Sequence, residues 1–151
     1  MKETLTKHLQ SGAAFTGIDD FIDDIPFDKL GIRPQGLPYS FYEIFYHIYF
    51  AQKDILDFCT ADTYGKHAWP DDYWPKKQKP DSEKDWGMLK SAFFTDRKAL
   101  EEWLNSEENK LEDVVKNGKD QTIFREVLLV LEHNAYHTGQ LMILARLLGE
   151  H

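Results

Sequence analysis

The stretch that decides the fold is LEHNAYHTGQLMILARLLG, residues 131–149. Most of its residues are strong helix formers, it contains no proline, and Gly149 is a typical helix stop signal. We predict a helix over residues 121–148. His133 and His137 are four residues apart in it, so both imidazoles lie on the same side of the helix, one turn from each other.

Apolar residues flank this histidine pair, so both rings should face the interior of the protein or a pocket in it. A buried imidazole needs partners for a donor and an acceptor nitrogen, and two stacked rings do not easily satisfy each other. A metal ion bound between them would satisfy both. The alternative is a pair of histidines that hydrogen-bond within the core, and the spacing alone leaves both interpretations open.

A third histidine lies in the second predicted helix, residues 40–58. Ser40 and Glu43 form a capping-box pattern at its start. His47 follows one turn later among aromatic residues and shares its side of the helix with Glu43 and Asp54. A histidine held on a helix among apolar residues makes a good metal ligand, but spacing alone does not bring His47 against the other pair.

Two familiar metal motifs are excluded by the residues around the histidines. A zincin has Glu directly after its first histidine, whereas Asn134 follows His133 here. A di-iron bundle has Glu three residues before histidine on two helices. Asn134 occupies that position before His137, and Ile44 occupies it before His47. The sequence therefore predicts neither a protease of the zincin type nor a di-iron site.

The rest of the chain also reads as helical. We predict a first helix, loosely drawn over residues 2–24, and a third helix beginning at Ser82. Residues 61–81 form a long segment rich in Trp and Pro, and we expect its Trp69–Trp74 part to cover the pocket. No repeat and no convincing strand is present. The prediction is an all-α four-helix bundle in a single domain, residues 1–151.

Composition narrows the possible functions. The 151 residues carry a formal net charge of −8, which argues against nucleic acid or an anionic membrane as the main partner. The one cysteine, Cys59, excludes disulfide pairing within the chain. It falls at a predicted helix end, and because buried thiols are usually inert we expect no nucleophilic role for it. Without a signal-like start or an apolar run of membrane-spanning length, we expect a cytoplasmic protein.

Three stretches together resemble the DinB-like (DinB/YfiT) superfamily, bacterial proteins regarded as metalloenzymes. The closing helix LEHNAYHTGQLMILARLLG resembles that of the family, and GLPYSFYEIFYHIYFAQKDIL, residues 36–56, resembles its second helix. The loop HAWPDDYWP, residues 67–75, is similar to that of one branch. The resemblance implies an up-down-down-up four-helix bundle, often dimeric, with one divalent metal. By motif match its ligands would be His47, His133 and His137.

The resemblance also implies a chemistry. The family includes bacillithiol S-transferases and a mycothiol-dependent maleylpyruvate isomerase, so we expect a transferase acting on a small-molecule substrate with a low-molecular-weight thiol. A hydrolase using metal-bound hydroxide and a non-enzymatic metal-binding or interaction protein are the alternatives. Zinc or nickel is the first expectation for the metal, and iron or manganese also accepts imidazole.

Four polar residues near the predicted ligands are candidates for catalysis: Glu43, Asp54, Glu126 and Gln140. The alternative for each carboxylate is that it orients a ligand imidazole or caps a helix. Helix four also carries an apolar arc on the side away from the histidines, which predicts either a central helix or a homodimer face. The arc consists of Phe124, Val127, Leu128, Leu131, Ala135 and Met142.

Overall fold

Four α-helices and the loops between them make up the protein, and the computed structural model describes all residues 1–151. Two single 3₁₀ turns lie between the first and second helices, and the only β pairing is an isolated bridge. None of the helices combines the length and apolarity needed to span a bilayer. The helices are α1 (Lys2–Ser11), α2 (Phe41–Thr60), α3 (Glu83–Asn105) and α4 (Ile123–Leu147).

Polar caps define where the two histidine-bearing helices begin. The Ser40 hydroxyl accepts a hydrogen bond from the backbone N–H of Glu43, and the Glu43 carboxylate accepts one from the backbone N–H of Ser40. The predicted capping box is therefore confirmed. α4 begins after Thr122, whose side chain accepts from the backbone N–H of Arg125. These bonds satisfy N–H groups that the first turn of a helix leaves without partners.

The prediction of a first helix over residues 2–24 was wrong beyond Ser11. Gly12 takes a φ of 61°, a left-handed conformation that ends the helix. The ring of Phe15 folds back so closely that a Cβ at Gly12 would lie 2.5 Å from it. The chain then continues through bends and the two 3₁₀ turns, with Ile18, Phe21 and Ile22 buried in the core.

The helices pack as a bundle in which α1 and α2 each contact both α3 and α4. Two separate apolar clusters fill its interior. On α2, the buried residues of the first cluster end at Ile48 and those of the second begin at Leu56. On α4 the order is reversed: the buried residues of the second cluster end at Val130 and those of the first begin at Leu141. The layer between the clusters is polar. Its buried or half-buried members include His47, Gln52, Asp54, His133, Asn134, His137 and Thr138.

Candidate metal centre

Three histidines meet in the polar layer where α2 packs against α4. His47 on α2 and His133 and His137 on α4 each offer a ring nitrogen, and these nitrogens lie within 4.8 Å of one another. The ring centroids are 4.4 to 4.8 Å apart. Three nitrogens bound to one zinc ion are about 3.4 Å apart. Small ring rotations therefore bring the cluster to metal-binding dimensions.

The ring of His47 is held by its edge and its face. Its Nδ1 lies 3.0 Å from the carbonyl oxygen of Tyr73, which only accepts hydrogen bonds, so Nδ1 carries the proton of the neutral ring. The unprotonated Nε2 faces His133. Trp74 stacks on the His47 ring, with centroids 4.1 Å apart and planes 2° from parallel. Tyr39 in turn stacks on Trp74 at 4.2 Å.

The ring of His137 is oriented from within its own helix. Its Nδ1 lies 2.7 Å from Oε1 of Gln140, which follows it by almost one turn of α4. The amide oxygen accepts a hydrogen bond, so Nδ1 is again the protonated nitrogen and Nε2 keeps its lone pair. His47 and His137 thus both adopt the tautomer that metal-binding histidines show, with Nδ1 held by an acceptor.

His133 has a hydrogen-bonding conflict when only the three rings are considered. Its Nε2 lies 3.0 Å from the unprotonated Nε2 of His47, so it must carry the proton. Its Nδ1 is then an acceptor, yet this atom and Oδ1 of the adjacent Asn134 are both buried without a hydrogen-bond partner. If His133 were to bind a divalent ion through Nε2, its proton would lie on Nδ1, and this buried atom would be a donor next to a residue whose Oδ1 is an unused acceptor. The residues fit a metal ion.

A sequence model of the DinB family matches residues 1–151. The chain belongs to the DinB family. The predicted family is thereby confirmed over all 151 residues, including the loops that carry no motif. No curated protein and no solved structure matches the chain.

Burial favours the neutral form of all three imidazoles in this DinB-family site. It is the largest cause that lowers the pKa of His47, His133 and His137. The pKa of His133 falls from the usual 6.5 to about 4, because the two neighbouring rings also oppose its charge; the nearby Asn134 side chain acts in the opposite direction. Neutral imidazole is the form that binds a metal, so the cluster can bind near pH 7 without displacing protons.

Two of the carboxylates predicted as acid–base candidates are engaged outside the cluster. Glu43 caps α2 and forms a bidentate ion pair with Arg33, with one bond of 2.9 Å from Nε. Burial raises the pKa of Glu43, but the hydrogen bonds from Arg33 and Ser40 outweigh it, so the net shift is downward. Glu126 is buried and pairs with Arg125. Neither residue belongs to the metal cluster.

Asp54, the third carboxylate, anchors the Trp- and Pro-rich segment, residues 61–81. Its Oδ1 accepts a 2.8 Å hydrogen bond from the Tyr64 hydroxyl, and its Oδ2 accepts one from the Tyr73 hydroxyl. His67 Nε2 lies 3.7 Å from the same carboxylate. Because the Tyr73 carbonyl holds His47, Asp54 supports a candidate ligand indirectly, through the loop.

Several residues of the centre have little or no signal in the sequence. Tyr73 acts through its backbone carbonyl, which any residue would supply. Trp74 was recognised only as part of an aromatic loop. Gln52 and Asn134 form a 3.1 Å hydrogen bond between their side-chain amides inside the polar layer. Gln52 lies on an otherwise apolar face of α2, which was the hint that the sequence offered for this last pair.

Proposed function

We propose that this DinB-family protein is a metal-dependent transferase that uses a low-molecular-weight thiol. The observation that carries the proposal is the convergence of three neutral imidazoles, two of them already oriented as Nε2 ligands. Three protein ligands leave at least one position for substrate, which is typical of catalytic rather than structural sites. When bound there, a divalent ion supplies Lewis acidity that lowers the pKa of a thiol or of water.

The surroundings favour a thiol over water as the nucleophile. Glu43, Asp54 and Glu126 are all engaged in other bonds, so none is placed as a general base. A thiol ionises near pH 8.5 in solution and needs little help, whereas water needs a much larger shift. Three neutral imidazoles would leave the full charge of a bound divalent ion available to lower the pKa of a thiol.

The thiol has to come from another molecule. Cys59 is the only cysteine and is 2% exposed. Burial is the largest cause that raises the pKa of its thiol to about 12. It lies in the second apolar cluster and is not a member of the metal cluster. Its side chain is therefore unreactive near neutral pH.

A cavity beside the cluster suits the apolar part of an electrophilic substrate. It has a volume of about 190 Å³ and shares Gln140 with the site, the residue that orients His137. Ile44 and Leu144 place it one to two turns from the ligands along α2 and α4. Its lining is Leu37, Pro38, Tyr39, Ile44, Gln140, Ile143 and Leu144.

Metal analysis of untagged protein tests the site. We expect about one divalent ion per chain after purification. His47→Ala and His137→Ala should each lose that ion while keeping the helical circular dichroism spectrum. Retention of a full equivalent of metal in both variants would contradict the three-histidine site.

Turnover separates the enzyme from its alternatives. The loaded protein is incubated with an alkyl or aryl halide and either a low-molecular-weight thiol or buffer alone, and the product is identified by mass spectrometry. Thioether formation that disappears in His137→Ala supports the transferase. Hydrolysis without thiol would identify a hydrolase, and no reaction with a panel of electrophiles would favour a metal-binding module.

We also propose that the protein is a cytoplasmic homodimer with up-down-down-up connectivity. Exposed Phe124 and Leu128 on α4 support the dimer, although Val127 of the predicted arc is buried within the bundle. Contacts at the helix ends support the connectivity: Lys2 Nζ donates to the carbonyl of Ser106, which makes α1 antiparallel to α3. Light scattering of wild-type protein and of Leu128→Asp tests the dimer.

A further inference from the structure

A chain of side-chain amides crosses the polar layer from α3 to α4. Nε2 of Gln52 donates to the backbone carbonyl of Phe93 at 3.0 Å. Nδ2 of Asn134 donates to Oε1 of Gln52 at 3.1 Å. Gln52 is 1% exposed, so water does not replace these partners. The chain ends at Asn134, immediately after the candidate ligand His133.

The direction of this chain is fixed at its first link. A backbone carbonyl only accepts hydrogen bonds, so Gln52 must turn its NH₂ group to Phe93 and its oxygen to Asn134. Asn134 must then turn its NH₂ group to Gln52. Its Oδ1 is left over as an acceptor, and it is buried without a partner. The carbonyl of Phe93 thereby determines which Asn134 atom is available to His133.

An unpartnered ring atom lies on the preceding residue, His133. Its Nδ1 is the other buried ring or amide atom of this region that lacks a hydrogen bond. As a metal ligand through Nε2, His133 carries its proton on Nδ1, and a proton there needs an acceptor. Asn134 Oδ1 is an acceptor on the neighbouring residue. The other two candidate ligands have their Nδ1 acceptors in Tyr73 and Gln140.

We propose that Gln52 and Asn134 are positioning residues that hold His133 as its Nδ1-protonated tautomer and so aim its Nε2 at the metal. This inference rests on the proposed metal site. Asn134 acts directly on the ligand, and Gln52 acts only through Asn134. An ordinary core role for the two amides predicts instead that both contribute to stability and neither contributes to metal affinity.

Zinc affinity of four proteins separates these roles: wild type, Asn134→Leu, Gln52→Leu and the double variant, each in competition with a chromophoric chelator. Loss of an outer partner of a ligand costs about 10- to 100-fold in affinity, and we expect this for Asn134→Leu. Gln52→Leu should cost less. The double variant should bind no more weakly than Asn134→Leu, because Gln52 has nothing left to orient.

Two further variants guard against a general loss of stability. Val130→Ala opens a cavity in the second apolar cluster, one turn before Asn134 on α4, and should keep the wild-type zinc affinity. Asn134→Asp keeps an acceptor beside the ring and should bind zinc more tightly than Asn134→Leu. In ¹H–¹⁵N spectra of the zinc-loaded wild type, the Nδ1–H of His133 should give a hydrogen-bonded resonance that Gln52→Leu weakens.

The outcomes are distinct. A wild type that binds no zinc overturns the proposed function. A wild type that binds one zinc, with unchanged affinity in Asn134→Leu, overturns only the positioning role. So does a double variant whose loss equals the product of the two single losses. If Asn134→Leu does not fold, Gln52→Leu and Asn134→Asp decide between the two roles. A zinc affinity equal to that of the wild type in both variants refutes the inference, and weaker zinc binding by Gln52→Leu supports it.

Discussion

Acidification should destabilise the metal-free protein through His133. The pKa of this imidazole is about 4 in the folded chain against the usual 6.5, because burial and the neighbouring rings oppose its charge. Between these two values the unfolded chain binds a proton that the folded chain does not. The neutral His133 ring therefore makes its full contribution to the free energy of unfolding above pH 6.5, and this contribution is lost as the pH falls toward 4. The loss is about 2 kcal/mol at pH 5 and about 3 kcal/mol at pH 4.

Urea unfolding followed by circular dichroism, in the presence of a chelator, measures this loss. His133→Leu lacks the titrating ring, so its free energy of unfolding should fall by about 2 kcal/mol less than that of the wild type between pH 7.5 and pH 5. His8→Gln removes an exposed imidazole on α1 and serves as the matched control. Parallel pH curves for the wild type and His133→Leu would refute the reasoning.

Three further predictions concern residues other than the candidate ligands. Gln140→Leu removes the acceptor of the His137 Nδ1 proton and should weaken zinc binding about 10- to 100-fold in a chelator competition, and an unchanged affinity would contradict its role. Asp54→Ala releases the Tyr73 hydroxyl and should weaken zinc binding in the same assay, whereas Asp54→Asn, which keeps one acceptor, should bind more tightly than Asp54→Ala. Cys59→Ala should keep the turnover with external thiol, and loss of turnover would assign Cys59 a role in catalysis.

Helix signals in the sequence predicted the helix limits well wherever capping residues set the ends of the helix. The capping box of Ser40 and Glu43 located the start of α2, and the predicted α4 exceeds the observed helix by only a few residues. The prediction of the first helix was too long because the apolar spacing continues beyond Gly12, whereas the helical backbone ends there. Residues such as Phe21 are buried there by tertiary packing, which produces spacing that resembles a helix.

The site was less predictable because most of it depends on contacts between helices. His133 and His137 share a helix, so their proximity follows from their spacing. The approach of His47 needed either the structure or the family resemblance. Asn134 was informative in the sequence only because it is not the glutamate of a zincin or of a di-iron motif. Its contact with Gln52 depends on how α2 packs against α4, and the spacing of residues within one helix does not predict that packing.

The two apolar clusters have a consequence for how this bundle can change over evolution. Each end of the bundle has its own apolar interior, so the folding free energy comes mainly from residues outside the layer that holds the histidines. Substitutions of the candidate ligands leave both apolar interiors in place. A scaffold organised in this way can exchange its reactive groups, or lose its activity altogether, and still be inherited as the same fold.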